Sequence, residues 1–287
     1  MTVCIAAICS DGEDNNKVVL CRDWRGEVQG VGSFENTEKF RWLAKGWVAL
    51  LAGNISRAEE MCLLYESHLK KTTLTEENIL DELRHVFHEY KKTLIDSHFK
   101  TKYGVPYTFV INQGKEKFGE EFIEKCVDEA SRIYVGAELI ITGFVEVYAY
   151  LEDKTCRAPL LCTINENTDG GDPVSLESEF SAIGSGCNTA RTMLFYRGQD
   201  SEDSLMETIY AVFEAKLISE TVPGIGESFS IDVIDKDGGL MQLSDDGAKR
   251  CRELFSRFGP KDITKKTRHW FEKKDSYLEP ASTTDSN

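Results

Sequence analysis

The chain has 287 residues, with 41% hydrophobic and 29% charged side chains and a formal net charge of −15. This is the composition of a globular protein, and it excludes a wholly disordered chain. An acidic chain offers no basic surface to nucleic acid and disfavours anionic membranes, so we expect neither as a partner.

The cysteines and the apolar runs indicate the cellular compartment. The nine cysteines are odd in number and no two are spaced as Cys-x-x-Cys, so zinc-ribbon and thioredoxin-like sites are not expected. No cofactor is expected either. The N-terminal region lacks the pattern of a signal peptide, and no apolar run approaches about eighteen residues, so no membrane-spanning helix is expected. We therefore predict a reduced, cytoplasmic protein.

The first part of the chain is predicted to be rich in β-strands. Residues 2–9 form an apolar run that predicts a buried strand, and a polar turn joins it to a second strand at 17–22. The segment 24–36 has no clear period, which predicts a loop with short strand pieces. Two further short strands are predicted at 38–44 and 47–52.

Two long helices are predicted next. Ser56, with Glu59 three residues later, forms a capping-box pattern that opens a helix running to Lys70. Apolar residues at helical spacing predict a second helix from Thr75 to Leu94. Helices that follow a run of strands indicate an α layer packed on a sheet.

The rest of the chain alternates between predicted strands and helices. The predicted strands are 107–111, 139–144, 145–151, 158–164, 180–183 and 229–234. The predicted helices are 115–131, 188–196 and 204–219. This order predicts an α+β protein, a four-layer α-β-β-α sandwich with helices outside two antiparallel sheets. We predict one domain over 1–259 and a polar, partly disordered tail over 260–287.

The dipeptide Met1-Thr2 can carry chemistry. Removal of Met1 would leave Thr2 with both a hydroxyl and a free α-amine, which can act as nucleophile and general base. A small second residue generally permits methionine removal. Activation would then require only the removal of Met1.

Four further motifs follow in order along the chain. They are Asp23-Trp24-Arg25 at the end of the second strand, Lys39 in a short strand, Ala52-Gly53 before the first long helix, and Gly184-Ser185-Gly186 before a later helix. Together with the N-terminal threonine they resemble the proteasome β-subunit type of the N-terminal-nucleophile hydrolase superfamily. The resemblance covers roughly residues 2–235 and is poorest over 100–160.

The resemblance implies a role for five residues. Thr2 would be the nucleophile and its α-amine the proton acceptor. Lys39 would favour the deprotonated hydroxyl through its positive charge, and Asp23 would hold Lys39 in place. The backbone N–H of Gly53 would donate to the oxyanion. Ser185 would form hydrogen bonds around the α-amine.

The same resemblance gives two supporting residues and one departure. Arg25 would position the Asp23 segment. The family places an aspartate shortly before its last glycine-rich loop, and here the nearest residues are Ser219 and Glu220, of which Glu220 could substitute with altered geometry. The loop itself, 223–228, is longer than the compact Ser-Gly-Gly of the family.

The function implied is a threonine-type hydrolase, a protease that cleaves peptide or related amide bonds through an acyl-enzyme on Thr2. A peptide or protein would be its substrate, and self-association into a ring is an expectation from the resemblance. Two alternatives stay open. One is a non-catalytic scaffold or assembly subunit with the same fold, and the other is an amidase acting on a small molecule. Retention of Met1 would block the α-amine.

Overall fold

The computed structural model shows a mixed α+β chain with two main antiparallel sheets. Its described residues are 2–12, 15–28, 32–35, 37–44, 46–72, 74–149, 154–166, 171–258 and 278–280.

Groups of strands alternate with groups of helices along the chain. The strands are β1 (Cys4–Ser10), β2 (Asn16–Asp23), β3 (Arg25–Val28), β4 (Gly32–Glu35), β5 (Phe40–Ala44), β6 (Trp47–Gly53), β7 (Ala137–Ala149), β8 (Lys154–Asn165), β9 (Val174–Glu177), β10 (Phe180–Ile183), β11 (Phe229–Asp235), β12 (Leu240–Leu243) and β13 (Leu278–Pro280). The helices are α1 (Ile55–Leu69), α2 (Ile79–Tyr103), α3 (Tyr107–Phe118), α4 (Glu120–Ser131), α5 (Cys187–Arg197), α6 (Leu205–Ser219) and α7 (Asp245–Phe258).

Strand pairing defines the two main sheets. The six-stranded sheet has the order β10-β1-β2-β11-β12-β13, and the five-stranded sheet has the order β5-β6-β7-β8-β9. All pairings in both sheets are antiparallel. The strands β3 and β4 pair only with each other among the described residues.

The burial of β1 explains why its sequence is apolar throughout. Successive side chains of a strand point to opposite faces of its sheet. Ile5 and its alternate neighbours pack in a core cluster with residues of α5 and α6. Ala6 and its alternate neighbours pack in a second cluster, which includes Val48 and Ile140 of the five-stranded sheet. Both faces of β1 are therefore covered, one by helices and the other by the second sheet.

The five-stranded sheet has its own helical cover. Residues of α1 and α2, such as Tyr65 and Phe87, form a third core cluster with Leu51 and Ile141 of β6 and β7. The two helices are joined by a hydrogen bond from the buried Tyr65 hydroxyl to the Leu83 carbonyl oxygen, at 3.0 Å.

Residues 107–111 were predicted to be a strand, and this prediction is wrong. The segment forms the first turns of α3, which Pro106 precedes and where the Asp96 carboxylate accepts a hydrogen bond from the Thr108 N–H at 3.0 Å. Val110 is fully buried in a small core with Phe99 of α2. A proline at the start, a capping carboxylate and this tertiary contact outweigh the strand propensity of the β-branched and aromatic residues.

Other element boundaries also differ from those predicted. The helix predicted over 115–131 is divided at Gly119 between α3 and α4, and the strands predicted at 139–144 and 145–151 form one strand, β7. The first long helix is capped by Asn54, whose side chain accepts from the Arg57 N–H, and not by Ser56. Residues 150–151 lie outside the described residues.

The predicted tail over 260–287 falls mostly outside the described residues. Within it, Leu278–Pro280 forms β13 and pairs with β12 at the edge of the six-stranded sheet. No helix among the described residues is long and apolar enough to cross a lipid bilayer.

Candidate active site

Antiparallel pairing brings Thr2 and Asp23 to the same end of the six-stranded sheet. Thr2 directly precedes β1, and Asp23 is the last residue of β2. Because β1 and β2 run in opposite directions with Cys4 opposite Arg22, the start of one strand meets the end of the other. A hydrogen bond from the Asp23 N–H to the Val3 carbonyl oxygen (3.3 Å) closes this end.

Lys39 reaches this end of the sheet from the other sheet. It stands immediately before β5, and its carbonyl oxygen accepts a hydrogen bond from the Leu51 N–H of β6 at 3.0 Å. Its side chain crosses to the six-stranded sheet, where Nζ lies 2.6 Å from Thr2 Oγ1 and 2.5 Å from Asp23 Oδ1. A third acceptor, the Arg25 carbonyl oxygen, lies 2.5 Å from Nζ. All three donors of the ammonium thus have an acceptor.

The Lys39–Asp23 pair is fully buried, since both side chains are 0% exposed. Burial of two charges is costly unless each is paired and its remaining hydrogen-bonding capacity is used. The second carboxylate oxygen of Asp23 accepts a hydrogen bond from the Gly226 N–H at 3.4 Å. An ammonium that donates to the Thr2 hydroxyl oxygen favours the deprotonated form of that hydroxyl.

The Gly184-Ser185-Gly186 turn encloses the main chain of Thr2. The Thr2 nitrogen donates to Ser185 Oγ at 3.0 Å, and this hydroxyl donates to the Thr2 carbonyl oxygen at 3.2 Å. The Gly186 N–H donates to the same carbonyl oxygen at 3.1 Å. Gly184 has a φ of +86°, and a Cβ at this position would lie 2.4 Å from the Thr2 carbonyl oxygen. Only glycine fits there.

Gly53 lies at the end of β6, two residues after Leu51, whose N–H donates to the Lys39 carbonyl oxygen. It is exposed and has a φ of +73°, and a Cβ would lie 2.5 Å from the Gly136 carbonyl oxygen. The structure therefore explains why glycine is needed here through the close approach of Gly136. The predicted oxyanion role of the Gly53 N–H stays a prediction.

Arg25 and Glu220, the two predicted supporting residues, do not place their side chains against Thr2 in the contacts that the structure describes. Arg25 offers its backbone carbonyl oxygen to Lys39. The Glu220 carboxylate accepts a hydrogen bond from Lys216 at 2.7 Å, and so it approaches the site only through that lysine. The Ser219 hydroxyl lies 2.7 Å from the carbonyl oxygen of Ala215 in the same helix and 3.4 Å from that of Gly186, in the turn that encloses Thr2.

Three residues at the site were not predicted from the sequence. The Glu138 carboxylate of β7 accepts from the Gly184 N–H at 2.8 Å, which links the Ser185 turn to the five-stranded sheet. Gly226 supports Asp23, and Lys216 donates to the Gly226 carbonyl oxygen at 2.8 Å. The glycine-bearing loop at 223–228 was a signal for Gly226, whereas no pattern in the sequence singled out Glu138 or Lys216.

The cysteines nearest to the site are poor alternative nucleophiles. Burial raises the pKa of the Cys4 thiol to about 12, with the Asp23 charge adding to the effect. Burial also raises the pKa of Cys187, at the start of α5. The thiolate is the reactive form of cysteine, so both thiols are inert near neutral pH. The Thr2 hydroxyl, in contrast, is in direct contact with the Lys39 ammonium.

Among the residues that the structure describes, no group of three or more His, Cys, Asp or Glu side chains is placed to hold a metal ion. No protein-family model matches the chain, and a search of curated proteins finds no match. The arguments for function therefore come from the geometry of Thr2, Asp23, Lys39 and Ser185, which the structure brings into one hydrogen-bonded cluster.

Proposed function

We propose that this protein is a threonine-type hydrolase that cleaves peptide or related amide bonds, with Thr2 as the N-terminal nucleophile after removal of Met1. One observation carries the proposal. A fully buried lysine ammonium, held by Asp23, lies 2.6 Å from the Thr2 hydroxyl oxygen. The contact satisfies the third donor of the ammonium, and it also places a positive charge beside the hydroxyl that would act as the nucleophile.

We propose a four-layer α-β-β-α sandwich, similar to proteasome β-subunits, as the scaffold for this chemistry. The three core clusters support this arrangement, because one lies between the sheets and the other two lie between a sheet and its helices. We assign residues 1–259 to this single domain and 260–287 to a tail.

The reaction would proceed through an ester on Thr2. The freed α-amine of Thr2 takes the hydroxyl proton as Oγ1 attacks the carbonyl carbon of the substrate. The tetrahedral intermediate collapses, its C–N bond breaks, and the proton passes from the ammonium to the leaving amine. Water then attacks the ester carbonyl carbon while the same amine accepts its proton. The bond between that carbon and Oγ1 breaks, and the proton returns from the ammonium to Oγ1, which releases the acid and restores the hydroxyl.

The neighbouring residues would stabilise these steps. Lys39 would offset the negative charge that develops on Oγ1. Ser185 would orient the α-amine, because its hydroxyl lies 3.0 Å from the Thr2 nitrogen. Asp23 would keep Lys39 charged and directed at Thr2. The Gly53 N–H would donate to the oxyanion, a role that typically lowers the barrier by about 2.7–4 kcal/mol.

The decisive experiment combines two measurements on the native chain. Intact mass determination would show whether Met1 is removed. A peptide epoxyketone, which reacts with the hydroxyl and the α-amine of an N-terminal threonine together, would then test the site. We expect the wild type and Thr2→Ser to be labelled and Thr2→Ala to remain unlabelled, since alanine also permits methionine removal.

Two results would contradict the proposal. The first is an intact Met1, and the second is labelling that persists in Thr2→Ala. Loss of Met1 without any labelling would favour the non-catalytic scaffold. If labelling occurs, hydrolysis of small amides but not of a peptide library would favour the small-molecule amidase.

We also propose a cytoplasmic location and self-association into a ring. All nine cysteines are free, and most are buried, which supports a reducing compartment. The ring rests on the resemblance alone. Light scattering coupled to size-exclusion chromatography would detect it as a mass several times that of the 32.4 kDa chain.

A further inference from the structure

Lys216 is a fully buried lysine in the last turn of α6. Its side chain is 0% exposed on α6, among core residues such as Val212 and Phe213. A buried ammonium destabilises a protein unless it is paired, and a hydrophobic residue of similar volume is often at least as stable. The burial of this charge therefore needs an explanation, which its contacts supply.

The ammonium of Lys216 is fixed by three neighbours. It donates to Glu220 Oε1 at 2.7 Å and to the Gly226 carbonyl oxygen at 2.8 Å. It also lies 5.4 Å from the centre of the Phe229 ring, within range of a cation–π interaction. We call Lys216, Glu220 and Gly226 the Gly226 clamp.

The Gly226 clamp ends on the active-site pair. The Gly226 N–H donates to Asp23 Oδ2, while Asp23 Oδ1 accepts from Lys39. A Cβ on Gly226 would lie 2.7 Å from the Cβ of Arg25, so the loop is packed directly against that residue. Arg25 in turn supplies the carbonyl oxygen that accepts from Lys39. Gly226 thus touches both groups that hold the Lys39 ammonium.

We propose that Lys216 is a positioning residue, which holds Gly226 against Asp23 and Arg25 and so keeps the Lys39 ammonium aligned with Thr2. The inference rests on the function proposed above. The inference also gives Glu220 a defined role. Glu220 pairs with the Lys216 ammonium and orients it, and so acts on Thr2 only through the clamp.

The test compares three variants in the full chain. Lys216→Met removes the ammonium and keeps the length of the side chain. Glu220→Gln weakens the ion pair but leaves Lys216 able to donate to Gly226. Glu214→Gln is the matched control, because Glu214 is also 0% exposed on α6 and pairs with Arg197 of α5, away from the clamp.

Two readouts distinguish positioning from general stability. Lys216→Met should lower kcat by about 10–100-fold with KM within about twofold, because a displaced ammonium affects chemistry more than binding. Amide hydrogen exchange at Gly226 should become about tenfold faster or more in the same variant. Glu220→Gln should show a smaller effect on both, and Glu214→Gln should leave both unchanged at 15 °C below its own Tm.

The outcomes separate this inference from the proposed function. Unchanged Gly226 exchange in Lys216→Met overturns the clamp, whether or not the protein is an enzyme. A kcat that falls equally in Lys216→Met and Glu214→Gln also overturns it, since the effect would then follow stability alone. An inert wild type contradicts the proposed function, and the exchange rates then decide the clamp by themselves.

Discussion

Substitution of Gly184 by alanine would test how tightly Thr2 is held. Gly184 has a φ of +86°, and the added methyl group would lie 2.4 Å from the Thr2 carbonyl oxygen. The positive φ costs an alanine about 1–2 kcal/mol. Relief of the contact requires the main chain to move by roughly 1 Å, and overpacking of this kind adds about 1–3 kcal/mol. Together these terms predict a loss of about 2–5 kcal/mol in the free energy of unfolding.

Gly198 provides a matched control for the backbone term. It has a φ of +65° at the end of α5, and an added Cβ there would have no neighbour within 4 Å. Gly198→Ala should therefore lose only about 1–2 kcal/mol. Urea denaturation followed by tryptophan fluorescence would measure both variants.

The same pair of variants addresses catalysis. A shift of roughly 1 Å at Thr2 would disturb its 2.6 Å contact with Lys39 and its 3.0 Å contact with Ser185. Misplacement on this scale lowers rates by about 100-fold. Gly184→Ala should thus react about 100 times more slowly with an epoxyketone than Gly198→Ala does. Equal unfolding free energies and equal labelling rates in the two variants would refute the reasoning.

Three further predictions concern stability. Lys39→Met leaves the Asp23 carboxylate buried without its cation, so it should lose about 3–5 kcal/mol in urea denaturation, and addition of Asp23→Asn should recover part of this loss. No recovery in the double variant would show that the charges are not coupled. Tyr65→Phe removes the buried hydrogen bond between α1 and α2 and should cost about 0.5–1.5 kcal/mol, whereas an unchanged midpoint would argue against that bond. Glu129 has its pKa lowered to about 2, first by Lys102 and then by two other donors, so it stabilises the fold above its ordinary pKa of 4.5 and ceases to do so as the pH falls towards 2. Glu129→Gln should therefore destabilise at pH 7 by at most about 1 kcal/mol, because the pair is partly solvated, and the difference from wild type should vanish at low pH. A difference that is independent of pH would contradict this assignment.

The resemblance carried by five motifs in order, and no single local pattern, predicted the residues that contact Lys39 and Thr2. Asp23 is the last residue of a strand that carries a continuous apolar run, and the last residue of a strand lies at an end of its sheet. The apolar run after Thr2 likewise predicted a buried strand, which the structure contains as β1. The α+β class follows from the same order of strands and helices.

Contacts between distant segments could not be predicted in this way. The Gly226 N–H lies 203 residues from the Asp23 carboxylate to which it donates, and no local pattern encodes that distance. Lysine is almost never fully buried unless it is paired, so its residue type alone would predict that Lys216 lies on the solvated side of α6. The strand predicted at 107–111 was wrong for a related reason, because Asp96 and Phe99 of the preceding helix decide its conformation.

The position of β1 inside its sheet has a consequence for how the protein is made. β1 is bordered by β2 on one side and by β10 on the other, and Thr2 and Ser185 are separated by 183 residues. β10 ends at residue 183 and β2 at residue 23, so at a synthesis rate of about 5–20 residues per second the ribosome needs roughly 8–32 s to complete β10 after β2. During that interval an apolar strand has one unpaired edge, which is the kind of surface that chaperones bind. The nascent chain therefore carries Thr2 long before the turn that encloses it exists, so the contacts between Thr2 and Ser185 can form only late in translation.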